Sequence, residues 1–184
     1  MLSPVAKIKI GPAGLSRQNI RGVDIVQIVW SKEHIAPINS KVQLTTPSHP
    51  RHEIMKRKWE ARTDPLWWNC LTSGKVGPKS AVRSWLSNRA RAAFVQALKR
   101  KGYDTNGRRI DGNGAGVPKP NLVGSVHMMT RAELLRAKWP EVEEQADKVV
   151  AEIERLQTEK PKRPKVKRKN DGMIPKQSLN SVDR

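Results

Sequence analysis

The stretch PKSAVRSWLSNRARAAFVQALKRKG, residues 78–102, predicts the clearest helix of the chain. Pro78 is favoured in a first helical turn, and Gly102 is favoured just past a helix end. Between them, apolar side chains recur every three or four residues and so follow one narrow stripe of a helix. The stripe consists of Val82, Leu86, Ala90, Ala93 and Ala97. We therefore expect a helix over residues 79–101 that buries this stripe.

The same helix is basic along its whole length and contains no acid. Its seven cations are Lys79, Arg83, Arg89, Arg91, Lys99, Arg100 and Lys101. At 100° per residue they spread around most of the circumference. A solvated helix usually mixes both signs of charge, whereas a helix surrounded by phosphates needs no acids. We predict that these residues bind RNA phosphates, Arg89 and Arg91 with two hydrogen bonds each. A solvated charged surface is the alternative.

The whole chain shares this excess of positive charge. Its 184 residues include 36 Lys and Arg against 17 Asp and Glu, a formal net charge of +19. A domain of this size usually keeps its net charge in single digits, because self-repulsion opposes compaction. Nucleic acid is the commonest intracellular polyanion that offsets such a charge. The composition therefore indicates a nucleic-acid partner, while an anionic membrane surface remains open.

Two further segments extend the predicted RNA-binding surface. A Gly/Asn/Pro-rich loop over residues 103–120 carries Arg108 and Arg109. A tail beyond residue 159 contains a block of cations without acids, which repel one another and bury nothing. The cations of this block are Lys160, Lys162, Arg163, Lys165, Lys167, Arg168 and Lys169.

The remaining patterns predict a small α+β protein with basic arms at both ends. Residues 1–46 read as a basic N-terminal arm with short strands at Val5–Ile10, Val23–Trp30 and Lys41–Thr46. Residues 47–159 read as a small, mostly helical core, and residues 160–184 as a basic tail. Within the core we expect helices at 51–62, 131–138 and 140–157, a strand at 121–129, and otherwise an irregular connection over 47–78. Thr130 and Glu133 have the spacing of a capping box, in which both side chains satisfy free amides at a helix start.

The helix at 140–157 carries a second apolar stripe in the most acidic part of the chain. Val142, Ala146, Val149, Ile153 and Leu156 step by four and three residues, as a coiled-coil seam does. This seam fits either a partner protein or the chain's own basic helix.

Few residues suggest specific site chemistry. Trp59 stands among Arg57, Lys58 and Arg62 and is the best candidate to stack on an unpaired base. The other five tryptophans are predicted core anchors: Trp30, Trp67, Trp68, Trp85 and Trp139.

Candidate metal, nucleotide and catalytic patterns are weak. His49, His52 and Glu53 have no zinc-site spacing. The glycines of residues 111–116 lack the dinucleotide-binding pattern, and Cys70 with the distant His127 is a weak nucleophile–base pair. We predict no catalysis, no cofactor, no small-molecule substrate and no membrane span, since no apolar run approaches the ~20 residues required. The single cysteine allows no intramolecular disulfide and favours a reducing compartment.

In overall style the chain resembles ribosomal proteins. The resemblance rests on the basic start, the acid-free run VRSWLSNRARA at residues 82–92, and the Lys/Arg/Pro tail. With its many tryptophans and an N-terminus without acids before Asp24, the chain is most similar to the mitochondria-specific proteins of fungal-type mitochondrial ribosomes. Such an N-terminus fits a mitochondrial targeting segment or a plain basic arm.

This resemblance implies a structural task in the mitochondrial matrix, with rRNA and neighbouring ribosomal proteins as partners. Two alternatives remain open. One is a nuclear DNA- or RNA-binding protein with an import signal at 160–169. The other is an enzyme acting on nucleic acid, for which Asp104 and Asp111 are the residues to test.

Overall fold

The computed structural model describes residues 9–10, 15–37, 40–110 and 120–158 and has a mixed α+β fold. The strands are β1 (Lys9–Ile10), β2 (Ser16–Gln18), β3 (Val26–Ser31), β4 (Ile35–Ala36), β5 (Leu66–Thr72) and β6 (Gly124–Thr130). The α-helices are α1 (Lys41–Thr45), α2 (His52–Glu60), α3 (Ser80–Arg100) and α4 (Trp139–Thr158). A short 3₁₀ helix, Ala132–Leu135, joins β6 to α4.

A four-stranded sheet in the order β2-β3-β6-β5 organises the fold. β3 pairs antiparallel with β2 and β6, whereas β5 pairs parallel with β6. The strands β1 and β4 form a separate parallel pair. β3 therefore lies in the interior of the sheet, although its sequence falls within the span assigned to the N-terminal arm.

α3 and α4 pack on one face of this sheet and form the main core. The predicted stripes of both helices are confirmed, because Leu86, Ala93, Val142 and Val149 are all at most 1% exposed. They meet Ile28, Cys70, Val126 and Met128 of the sheet in one apolar cluster. Fully burying a Leu or Val side chain stabilises a fold by about 1.5–3 kcal/mol. The seam of α4 is thus covered by the chain's own basic helix and sheet.

A smaller aromatic cluster lies around Trp67. Consecutive side chains of a strand point to opposite faces, so Trp67 and Trp68 of β5 serve different clusters. Trp68 packs on the main core beside Phe94, with 5.0 Å between ring centroids. Trp67 instead packs with Ala36, Leu44 and Trp59, which anchors α1 and α2 to β5.

Several predicted elements are confirmed with shifted ends. The helices expected at 51–62, 79–101 and 140–157 are α2, α3 and α4, and the strand expected at 121–129 is β6. The strand expected at Val23–Trp30 is β3. Of the strand expected at Val5–Ile10, the described residues form β1, and the rest lies outside them.

Two predicted conformations are wrong. Lys41–Thr46 was expected to be a strand but forms the short helix α1, because Leu44 packs into the aromatic cluster. Residues 47–78 were expected to be irregular apart from one helix but contain the seven-residue strand β5. β5 contributes buried side chains to both apolar clusters, so its sequence has no alternation of polar and apolar residues to indicate a strand.

The predicted helix at 131–138 is confirmed only in part, and its predicted capping box is wrong. Only the 3₁₀ helix forms, and its first residue has no side-chain cap. Thr130 ends β6 directly opposite Thr72, and its hydroxyl donates to the Thr72 hydroxyl at 2.8 Å. The Thr130 hydroxyl therefore bonds to Thr72 across the sheet instead of capping a helix.

Candidate nucleic-acid interface

The lysines that flank or end α3 are open to a ligand. Lys79 and Lys99 are exposed, and Lys101 is half-buried. Within the described ranges, none of their ammonium groups makes a hydrogen bond or ion pair. These lysines fit the predicted phosphate-binding role.

Three arginines of α3 are held by backbone carbonyls instead of carboxylates. Arg83 donates to the carbonyls of Gly77 and Pro78 at 2.9 and 2.7 Å. Arg91 donates one hydrogen bond, at 3.1 Å, to the carbonyl of Cys70 on the edge strand β5. Carbonyls carry no net charge, so the positive charge of each guanidinium remains uncompensated while its position is fixed.

Arg89 is the most firmly held of these arginines. Its Nη1 and Nη2 donate to the carbonyls of Leu134 and Ala137 at 3.1 and 2.5 Å. Both terminal nitrogens of the guanidinium fork are therefore engaged by the segment that links β6 to α4. These two bonds tie Arg89 to the fold, but a guanidinium has five N–H donors, so the predicted phosphate contact of Arg89 stays a prediction.

Arg100 is neutralised by α4. Its guanidinium lies 3.0 Å from Asp147 and 3.3 Å from Glu143. The hydrogen bond that Arg100 donates to Asp147, followed by the charges of both acids, raises the pKa of Arg100 above its ordinary value. The acidic helix already matches the charge of Arg100, which weakens the case for the predicted phosphate contact.

The two arginines in the loop after α3 differ in their exposure to solvent. The Asp104 carboxylate accepts hydrogen bonds from the backbone amides of Asn106 and Arg108, at 2.8 and 2.7 Å, and so shapes the turn. Arg108 is exposed, with no side-chain partner among the described residues. Arg109 is half-buried beside Tyr103, and the backbones of these two residues form an isolated antiparallel β-bridge. Arg108 fits the predicted surface, whereas Arg109 packs within the loop.

Trp59 is not available for base stacking. It is 7% exposed, and its ring centroid lies 4.9 Å from that of Trp67. The guanidinium of Arg62 lies 5.1 Å from the Trp59 ring and pairs with Asp64. The basic neighbours in sequence suggested an RNA contact, but α2 turns this ring toward β5.

Trp85 was predicted to be a core anchor but is exposed. It is 49% exposed, and the guanidinium carbon of Arg89 lies 5.1 Å from its ring centroid. The other four predicted anchors, Trp30, Trp67, Trp68 and Trp139, do pack in the two clusters. The sequence could have indicated this exposure, since position 85 lies about 100° around the helix from Leu86 in the buried stripe.

Other exposed cations were missed because they stand outside acid-free runs. α2 presents Lys56, Arg57 and Lys58 to solvent. Arg136 and Lys138 are exposed on the segment that Arg89 ties to α3. These residues widen the positive surface beyond α3. The predicted tail cations from Lys160 to Lys169 and the glycines of residues 111–116 lie outside the described residues.

The structure does not assemble the weaker site candidates. Cys70 pairs in register with Met128, and Asn69 with His127, so Cys70 and His127 point to opposite faces of the sheet. Burial raises the pKa of the Cys70 thiol to about 12 and lowers the pKa of His127. Among the described residues, no group of three or more His, Cys, Asp or Glu side chains is arranged to hold a metal ion.

No family model, curated protein or solved structure matches the chain. Within the described residues, no helix combines the length and apolar character needed to cross a bilayer.

Proposed function

We propose that this protein is a structural, RNA-binding component of the mitochondrial ribosome and carries out no catalysis. The observation that supports the proposal most strongly is the charge balance of α3. Among the seven cations from Lys79 to Lys101, Arg100 is the one that lies in an ion pair within the described residues. The others keep their positive charge at the surface or against neutral carbonyls.

Binding would proceed by neutralising crowded phosphates and releasing their counterions. Lys79, Lys99 and Lys101 act as adaptable point charges, since an ammonium on a long stem adjusts to several phosphate positions. Arg83 and Arg91 act as fixed charges, because carbonyls already orient them. This combination favours a shaped, phosphate-rich surface such as folded rRNA.

α4 is the element best suited to contact neighbouring proteins. Its apolar seam is buried inside the chain, so its outer surface offers charge instead of a hydrophobic stripe. Glu141 and Glu144 are exposed there. The proposed protein neighbours are therefore basic, as proteins that share an rRNA surface are.

The first test compares the salt dependence of RNA binding by the full chain and its variants. Each phosphate contact contributes about 0.7–0.9 to the slope of log K against log salt concentration. The triple variant Lys79→Gln, Lys99→Gln, Lys101→Gln should flatten the slope by about 2–3. An unchanged slope would mean that these lysines do not touch phosphate.

A matched pair of single variants sharpens this test. Lys99→Gln and Arg100→Gln remove one positive charge each from adjacent positions of α3. Lys99→Gln should flatten the slope by about one contact, whereas Arg100→Gln should leave it nearly unchanged, because Asp147 and Glu143 already neutralise that charge. Equal effects would show that net charge alone, and not this surface, determines binding.

The second test concerns the assembly and its compartment. Tagged full-length protein should co-sediment with a ribosomal subunit after a high-salt wash and should shift when the RNA is digested. Migration as a small free species would refute the ribosomal role. Loss of mitochondrial signal without residues 1–23 would support the matrix location, whereas nuclear accumulation that depends on residues 160–169 would support the nuclear alternative.

A further inference from the structure

The outward face of α3 carries a continuous stripe of chemically diverse side chains. Trp85, Asn88, Ala92, Gln96 and Lys99 follow one another at spacings of three or four residues and therefore lie on one side of the helix. All five are exposed. The buried stripe of Leu86, Ala90, Ala93 and Ala97 faces the core, so this second stripe, the outer stripe, faces solvent.

Trp85 is held in place at one end of the outer stripe. The Arg89 guanidinium lies 5.1 Å from its ring centroid, and Arg89 is itself fixed by the carbonyls of Leu134 and Ala137. A cation above an aromatic ring is attracted to the ring and restricts its orientation. Trp85 thus presents an exposed, oriented aromatic surface beside an uncompensated positive charge.

The two amides of the outer stripe have unused hydrogen-bonding capacity. Asn88 and Gln96 each offer two donors and one acceptor oxygen. Neither side chain makes a hydrogen bond to any described residue. Amide side chains can pair with two atoms of a base edge at once, as Asn and Gln do with adenine.

The outer stripe fits a nucleic-acid strand better than a protein partner. Its apolar content is limited to Trp85 and the small Ala92, whereas protein interfaces centre on contiguous apolar patches. It contains no acid, and Lys99 places an exposed positive charge at its far end. At 1.5 Å per residue, Trp85 and Lys99 are separated by about 21 Å along the helix.

We propose that the outer stripe of α3 binds an unpaired segment of RNA. A base stacks on Trp85, the amides of Asn88 and Gln96 meet base edges, and Lys99 meets the backbone. This inference rests on the proposed RNA-binding function and adds that the bound RNA includes single-stranded nucleotides. Bases inside an A-form duplex are already stacked and cannot offer a free face to Trp85.

The test measures the affinity of the full chain for an unstructured RNA oligonucleotide and for a duplex of the same length. Base–aromatic stacking contributes about 1–3 kcal/mol per base, so Trp85→Ala should weaken single-strand binding by about 5- to 150-fold. Duplex binding and both salt slopes should remain unchanged, because no charge is removed. Trp85→Phe keeps an aromatic ring and should retain most of the affinity.

Two controls separate stacking from general effects. Ile54→Ala removes another strongly exposed apolar side chain, on α2, and should leave both affinities unchanged. Gln96→Ala should reduce discrimination among the four homopolymer RNAs. An unchanged ranking of the homopolymers would overturn the role assigned to the amides.

The outcomes distinguish this inference from the function beneath it. If the wild-type chain binds neither RNA, the proposed function fails. If binding depends on Lys99 but Trp85→Ala is neutral, RNA binding stands and the stacking inference is overturned. If Trp85→Ala binds RNA normally but no longer co-sediments with a ribosomal subunit, Trp85 contacts a protein instead, which also overturns the inference.

Discussion

Arg89 provides the sharpest test of whether a cation of α3 supports the fold or binds RNA. Its guanidinium joins α3 to the segment before α4 through the carbonyls of Leu134 and Ala137. We consider Arg89→Met, which keeps the apolar stem but removes the donors and the charge.

The expected loss follows from these contacts. A hydrogen bond to a charged group contributes about 1.5–3 kcal/mol, and two bonds from one side chain share a single desolvation penalty. The cation–π contact with Trp85 adds about 0.5–1 kcal/mol at an exposed site. Arg89→Met should therefore lower the free energy of unfolding by about 2–4 kcal/mol, a large fraction of the 5–15 kcal/mol typical of a domain.

Thermal unfolding of the full chain, followed by circular dichroism, measures this effect. For a chain of this length, 1 kcal/mol corresponds to about 2–4 °C, so the midpoint should fall by about 5–15 °C. Arg136→Met is the matched control, since Arg136 is exposed with no side-chain partner among the described residues. It should change stability by less than about 0.5 kcal/mol. An unchanged midpoint for Arg89→Met, together with a flatter salt slope of RNA binding, would refute the assignment of Arg89 to the fold.

Three further predictions concern the core. Tyr103 is the chain's single tyrosine, and burial together with its 2.9 Å hydrogen bond to Glu154 raises its pKa to about 12. The phenol of the unfolded chain has a pKa near 10. The stability that this hydrogen-bonded phenol contributes below pH 10 should therefore be lost as the pH rises toward 12. Phenolate absorbance that titrates near 10 in the folded protein would contradict this prediction. Cys70 is fully buried with a pKa of about 12, so a thiol reagent at pH 8 should modify it only after denaturation, and rapid native labelling would disprove the burial. Gly124 has φ +116°, and an added Cβ would collide with the carbonyl of Ser31. Gly124→Ala should therefore lower the free energy of unfolding, measured by denaturant titration, by about 2–4 kcal/mol. A neutral effect would show that β3 and β6 are less close there.

Elements with a strong local period were the predictable part of the fold. α3 and α4 each repeat apolar residues at helical spacing, and the structure buries those stripes against each other and the sheet. β5 was not predictable in the same way. Its side chains join apolar clusters on both faces, so the alternation that marks a half-buried strand is absent, and its pairing partner β6 lies more than fifty residues further along the chain.

The residues of the candidate interface differ in the same way, according to whether distant parts of the chain contact them. Lys79, Lys99 and Arg108 were predicted to be available and are exposed, because no neighbouring element reaches them. Arg100 is instead paired with acids of α4, and Trp59 is buried against β5, because α4 and β5 approach these residues from distant parts of the sequence.

The sequence by itself determined the charge of this protein, the helical stripes and the class of partner that they favour. These properties depend on composition and on spacings within one helix, which no tertiary contact alters. Only the tertiary structure decided which cations remain uncompensated and which tryptophan reaches solvent. Trp59 and Trp85 both stand among basic residues in the sequence, yet one packs on Trp67 and the other remains half exposed. The difference arises because exposure depends on what packs against a residue, and those neighbours come from elements that only the folded chain brings together.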